Sequence, residues 1–155
     1  MKGWRRRGRL AVLLVLAPLP TVLKRLFLRT LFGYRIARGS SIGLSVIDVQ
    51  RCVLGEGSRI GHFNLITRVD DFRLGRHARI GVLNVIRGGD KVTIGDYATL
   101  MRLNFLNAIP DHDCTTNPTS VLEIGAGSVL VAGHRVDFTD RVSIGRNVVV
   151  GGRRS

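Results

Sequence analysis

At 155 residues, with 19 glycines, few aromatics (6%) and only two cysteines, the chain has room for one cored domain built on tight turns, and too few thiols for a disulfide framework. Its net charge of +13 is unevenly placed: residues 1–40 hold ten Lys and Arg and no acid, whereas the remainder holds fourteen basic and eleven acidic side chains. A nucleic-acid binder would carry a basic stripe on its folded body, so basicity concentrated in an N-terminal arm argues against that class.

The arm comprises residues 1–34. Its apolar run, Leu10–Leu23, is interrupted by Pro18 and Pro20. A membrane-spanning helix needs about 20 apolar residues, more than this run supplies. A basic start followed by a short apolar stretch also fits a secretory signal, but no A-x-A-like cleavage site follows. Beyond the prolines, Leu23, Leu26, Phe27, Thr30, Leu31 and Tyr34 share one helical face. Lys24, Arg25 and Arg29 lie opposite, with Leu28 breaking the polar side. The segment is expected to be a basic amphipathic helix lying peripherally on an anionic membrane surface, or a cap over the open end of the domain; the two roles are compatible.

Residues 35–155 carry a repeat. Aliphatic side chains recur every six positions at Ile36, Ile42, Leu54, Ile60, Ile66, Leu74, Ile80, Ile86, Ile94, Leu100 and Leu106, then at Ile124, Leu130, Val136, Ile144 and Val150. Each full turn opens on an aliphatic–glycine pair: Leu54-Gly55, Leu74-Gly75, Ile94-Gly95, Ile124-Gly125 and Ile144-Gly145. These openings are evenly spaced except for the step from Ile94 to Ile124, which is half as long again. Neither a helix (3.6) nor an ordinary strand (2) has a period of six. One short strand plus a corner does, and three such sides make a triangular coil. The expected fold is therefore all-β, a parallel β-helix of hexapeptide repeats with an N-terminal amphipathic helix. In it Cys52, Phe72, Val92, Leu122 and Val142 form a second inward column. Ser40, Ser58, Ala78, Ala98, Ser128 and Val148 fill a tight corner, and the glycine after each aliphatic helps the chain turn.

The longer step marks an insertion within 107–121, "NAIPDHDCTTNPTSV", which reads as a surface loop containing Cys114. The pattern stops after Val150 with the last coil showing two of its three sides, which is read either as an end covered by a partner chain or as a sequence lacking its natural C-terminal part.

One column breaks its own rule. Asn64, Asn84 and Asn104 recur once per coil, and His134 takes the same place after the longer step. Stacked asparagines bond to one another and to the turn backbone. A histidine next in such a column can use one ring nitrogen for that bond and leave the other free for a ligand, or can merely replace asparagine as a hydrogen-bonding side chain. His62 and His77 stand at outward turn positions. Asp70, Asp90 and Asp140 precede the slip between coils and are read as Asx-turn residues.

The aliphatic–glycine hexads, the looped-out segment and the lead-in "LKRLFLRTLFGYRI" together resemble the hexapeptide-repeat acyltransferases, closest to acetyltransferases of bacterial polysaccharide biosynthesis, over about residues 20–152. The resemblance implies a left-handed β-helix that forms a homotrimer, with acetyl-CoA as acyl donor in a cleft between subunits and a histidine as general base. The implied acceptor is a hydroxyl of a sugar or polysaccharide precursor, and the implied place is the cytoplasmic side of the inner membrane. Family members continue into further coils, often with a histidine in a "THS"-like motif that is not found here.

His134 is accordingly the candidate base, with His112 in reserve. Asn104 and Asp137 are candidates to orient the imidazole, the loop with Asp111, His112 and Asp113 to wall the cleft, and Arg153 and Arg154 to meet CoA phosphates. No metal is expected. β-Helix enzymes resembling carbonic anhydrase converge three histidines on zinc, whereas His62, His77, His112 and His134 occupy different repeat phases. The alternative to a transferase is a truncated, non-catalytic β-helix scaffold at the membrane surface.

Overall fold

The computed structural model describes residues 8, 11–15, 18–109 and 120–151. Residues 11–15 are helical, and a second helix, α1, spans Thr21–Phe32. The first coil holds β1 (Arg35–Ile36), β2 (Ser41–Ile42) and β3 (Val46–Leu54), and the second holds β4 (Arg59–Ile60) and β5 (Leu65–Leu74). The third has β6 (Arg79–Val82), β7 (Val85–Arg87) and β8 (Lys91–Ile94); the fourth β9 (Thr99–Arg102), β10 (Phe105–Asn107) and β11 (Val121–Ile124). Then come β12 (Val129–Ala132), β13 (Arg135–Asp137) and β14 (Val142–Ile144), and β15 (Val149–Val150) follows.

Among the described residues every strand pairing is parallel, and the coils stack as a β-solenoid. One face is a six-stranded sheet in the order β15-β12-β9-β6-β4-β2. The long strands β3 and β5 run around a corner and so join the other two faces into one nine-stranded sheet. The hexad aliphatics meet like with like across coils: Ile66 faces Ile86, Leu74 faces Ile94 and Leu106 faces Val136. They point inward and are buried, as are Cys52, Phe72, Val92 and Leu122 of the second column. Burial thins toward the last described coil, where Val136, Val142, Ile144 and Val150 are half-buried.

The glycine after each aliphatic has a different reason from the one expected. Gly75 is not in a left-handed conformation; a Cβ there would lie 2.6 Å from the carbonyl carbon of Gly95 on the next coil. Close stacking, and not turning, demands it there and at Gly55, Gly95 and Gly125, whereas Gly145 has no such neighbour among the described residues. The left-handed residues come two positions later, at Gly57, His77, Tyr97, Gly127 and Asn147.

At the other end α1 closes the first coil. Gly33 ends the helix in the left-handed conformation, its N–H donating to the Arg29 carbonyl and that of Tyr34 to the Leu28 carbonyl. Tyr34 is buried beneath, its hydroxyl 3.0 Å from both the Ile47 and Val49 carbonyls and accepting the Val49 N–H at 3.2 Å. This tethers the irregularity of β3 between Asp48 and Val49. Leu28, which interrupts the polar side of the helix, is one of its two buried residues; the other is Lys24, whose ammonium donates to the Gly43 carbonyl at 2.6 Å. The face carrying Val22, Leu23, Leu26, Phe27 and Leu31 is left exposed. Among the described residues no helix is long and apolar enough to cross a membrane.

Burial, assisted by the nearby Asp71 charge, pushes the Cys52 thiol up to about 12 from 9.0. A folded-state value above the unfolded one gives stability that is complete below about pH 9 and lost as pH rises toward 12, at about 1.4 kcal/mol per pH unit. Cys52 is expected to resist alkylation at neutral pH until denaturant is added, and Cys52→Val to remove that part of the alkaline destabilisation. Rapid labelling of the native protein would contradict the burial.

Candidate functional site

The asparagine column is a hydrogen-bonded ladder at the corner following the six-stranded sheet. Phe63, Leu83 and Leu103 adopt left-handed backbones with φ of 58°, 58° and 56°, turning the next residue inward. Asn64 anchors on the Ser45 hydroxyl, which accepts its backbone N–H at 3.0 Å. Above it, Asn64 Oδ1 accepts the N–H and side-chain amide of Asn84 at 3.0 and 3.1 Å, and Asn84 Oδ1 accepts both from Asn104 at 3.1 Å. Each Nδ2 also donates to a carbonyl of the next coil: Asn64 to Gly81, Asn84 to Met101 and Asn104 to Val131. All three asparagines are buried, and each step satisfies groups that would otherwise be stranded.

His134 tops this column through its backbone. Its N–H donates to Asn104 Oδ1 at 3.0 Å, whereas its ring Nε2 is buried with no hydrogen-bond partner among the described residues. Asn104 therefore fixes the main chain at His134, and both its amide hydrogens are committed to Asn84 and Val131. Asp137 is engaged elsewhere. Its Oδ1 accepts the hydroxyl and N–H of Thr139 at 2.6 and 2.9 Å, which holds its carboxyl below the usual range. Among the described residues neither Asn104 nor Asp137 is hydrogen-bonded to the imidazole.

His112, Asp111, Asp113 and Cys114, and the arginines at 153 and 154, lie outside the described residues. Both ends of the insertion are tethered to the next coil: Ile109 N–H donates to Thr139 Oγ1 at 3.0 Å, and the Ser120 hydroxyl donates to the Thr139 carbonyl at 2.7 Å. Asp90 works between coils and does not form a local turn, its Oδ2 accepting the Ser120 N–H at 3.0 Å.

A second site lies on the outer side of the six-stranded sheet, a groove of about 730 Å³. Because side chains alternate along a strand, the residues flanking each inward Ile42, Ile60 and Ile80 point out. One outward column is Ser41, Arg59, Arg79 and Thr99; the other is Gly43, Gly61, Gly81 and Met101. The glycines give a floor without side chains, and Met101 ends it. His62, Val82 and Arg102 line the opposite wall, and Thr21 at the start of α1 lies at the base. His62 accepts the Leu44 N–H on Nδ1 at 3.0 Å, so the neutral ring carries its proton on Nε2 and offers a donor. His77 stacks on Tyr97 at 5.3 Å on a different corner and is exposed, as is His62.

The arginines were not singled out from sequence because a full coil of chain separates each from the next. The detectable signal was their place beside each inward isoleucine, where the sheet alternation turns them outward together. Among the described residues no group of three His, Cys, Asp or Glu could hold a metal ion. Comparison of the chain with protein-family models, curated proteins and solved structures found no match.

Proposed function

We propose that the chain is an acetyl-CoA-dependent O-acetyltransferase acting on a hydroxyl of a sugar or polysaccharide precursor, with His134 as general base. The observation that carries this reading is the stranded Nε2 of a half-buried imidazole, at the top of a ladder whose asparagine amides all have partners. A buried polar atom without a partner costs free energy and calls for a reason. An acceptor hydroxyl that reaches the ring supplies the missing partner. It gives its proton to Nε2 as its oxygen bonds to the thioester carbonyl carbon; the tetrahedral intermediate then expels the CoA thiolate, which takes the proton from the imidazolium. In this mechanism backbone N–H groups at a coil corner hold the oxyanion.

The same reading has the β-helix left-handed and assembled as a homotrimer. Supporting assembly, Phe63, Leu83 and Leu103 project from one corner at 65, 50 and 56% exposure, apolar side chains on left-handed backbone that a neighbouring subunit would cover. A peripheral position on the cytoplasmic membrane face is supported by the exposed apolar side of α1 and the basic arm, and CoA is cytoplasmic.

A non-catalytic scaffold is the second reading, favoured by the engagement of Asn104 and Asp137 away from the imidazole. Calorimetry with acetyl-CoA discriminates between them. The transferase is expected to bind it and, with a sugar acceptor, to release free thiol. A folded chain that gives no binding heat would favour the scaffold.

A further inference from the structure

Arg59 and Arg79 are register partners on adjacent strands, so two cationic side chains leave one surface from backbones about 4.8 Å apart. Such a pair repels. Among the described residues no carboxylate lines the groove, and none of Arg59, Arg79 and Arg102 has an ion-pair partner. Across the glycine floor His62 adds its Nε2–H donor, while Val82 and Met101 add exposed apolar surface. The floor itself is forced by the fold: a Cβ on Gly61 or Gly81 would collide with the carbonyl oxygen of Gly81 or Met101 on the next coil. An apolar trough with a cationic rim matches an anion attached to a hydrocarbon.

The position of the groove says where that anion comes from. It begins at Thr21, the first residue of α1, and rises from Ser41 to Thr99 over three coil steps, about 14 Å. The same helix turns Val22, Leu23 and Leu26 to solvent. A bilayer lying against that face would put its headgroup layer at the foot of the groove.

We propose that this groove binds the phosphate of a membrane amphiphile, the headgroup standing out of the bilayer between Arg59, Arg79 and Arg102, with the first atoms of its chain along the glycine floor. The proposal rests on the membrane-surface reading of α1 and is independent of the chemistry assigned to His134.

Full-length protein is followed by thermal shift with dihexanoyl phosphatidic acid and with glycerol 3-phosphate, and by co-sedimentation with phosphatidylcholine vesicles with and without phosphatidic acid. The short-chain lipid is expected to stabilise the protein at lower concentration than glycerol 3-phosphate. Arg59→Gln with Arg79→Gln, on exposed positions, is expected to weaken that response at least about tenfold with an unchanged circular-dichroism spectrum. Leu23→Ser with Leu26→Ser is expected to release the protein from vesicles while leaving the short-chain response intact. An unaltered response in the arginine variant would overturn the groove. Equal potency of glycerol 3-phosphate would make the ligand a soluble phosphate and overturn the lipid assignment. Vesicle binding unchanged in the helix variant would overturn the surface reading of α1, and with it the bilayer as source.

Discussion

Replacing Asn84 with leucine is expected to destabilise the fold by about 3–5 kcal/mol, although the two side chains are close in size. Asn84 is fully buried and works in both directions. Its Nδ2 donates to Asn64 Oδ1 and the Met101 carbonyl, and its Oδ1 accepts two bonds from Asn104. Leucine removes all four and leaves the Asn104 N–H and the Met101 carbonyl to find other partners in a dry corner. Each unsatisfied buried group costs about 1–3 kcal/mol. For a chain of this size the melting temperature should fall by roughly 10 °C or more. Urea or thermal unfolding decides the matter, and a change below about 1 kcal/mol would mean that the ladder bonds are replaceable.

His134→Asn separates chemistry from architecture. Asparagine continues the column, and by the rule its neighbours follow, its Nδ2 would donate to the Gly151 carbonyl, as Asn84 does to Met101 and Asn104 to Val131. It also removes the stranded Nε2. Stability is expected to rise by about 0.5–1.5 kcal/mol, while acetyl transfer falls about 10²–10⁴-fold for want of the base. A more stable variant with undiminished transfer would assign the histidine to the ladder alone. Both quantities come from the same purified sample, by unfolding and by thiol release.

The solenoid was legible in the sequence because its core residues obey a period that survives insertion: Leu106 and Val136, on either side of the added loop, stack as readily as Ile66 and Ile86 on an uninterrupted coil. The asparagine ladder was legible for the same reason. Register does not reveal which atom of a residue makes a bond, so the backbone of His134 took the contact expected of its ring. Helical periodicity placed Leu28 and Lys24 opposite the apolar stripe, where the structure has them, but read that side as a polar face with one blemish, whereas it docks on the first coil. The cap needs only a leucine and one ammonium to meet the open edge, and a pattern with two apolar surfaces reads as a blemish until the second surface is placed. The arginine groove was hidden differently. Its members are adjacent only after three coils have been stacked.

The tethered insertion has a consequence for how such a chain tolerates change. Ile109 and Ser120 are held to Thr139, and the strands on either side keep their pairing, Val121 beside Lys91 and Asn107 beside Asp137. The register of the strands on both sides of the insertion is thus held by residues outside it. Doubling the length of a loop at such a point costs only about 0.6 kcal/mol in closure entropy. That corner is therefore a port at which foreign peptide can be spliced in and displayed, with the triangular stack beneath it undisturbed.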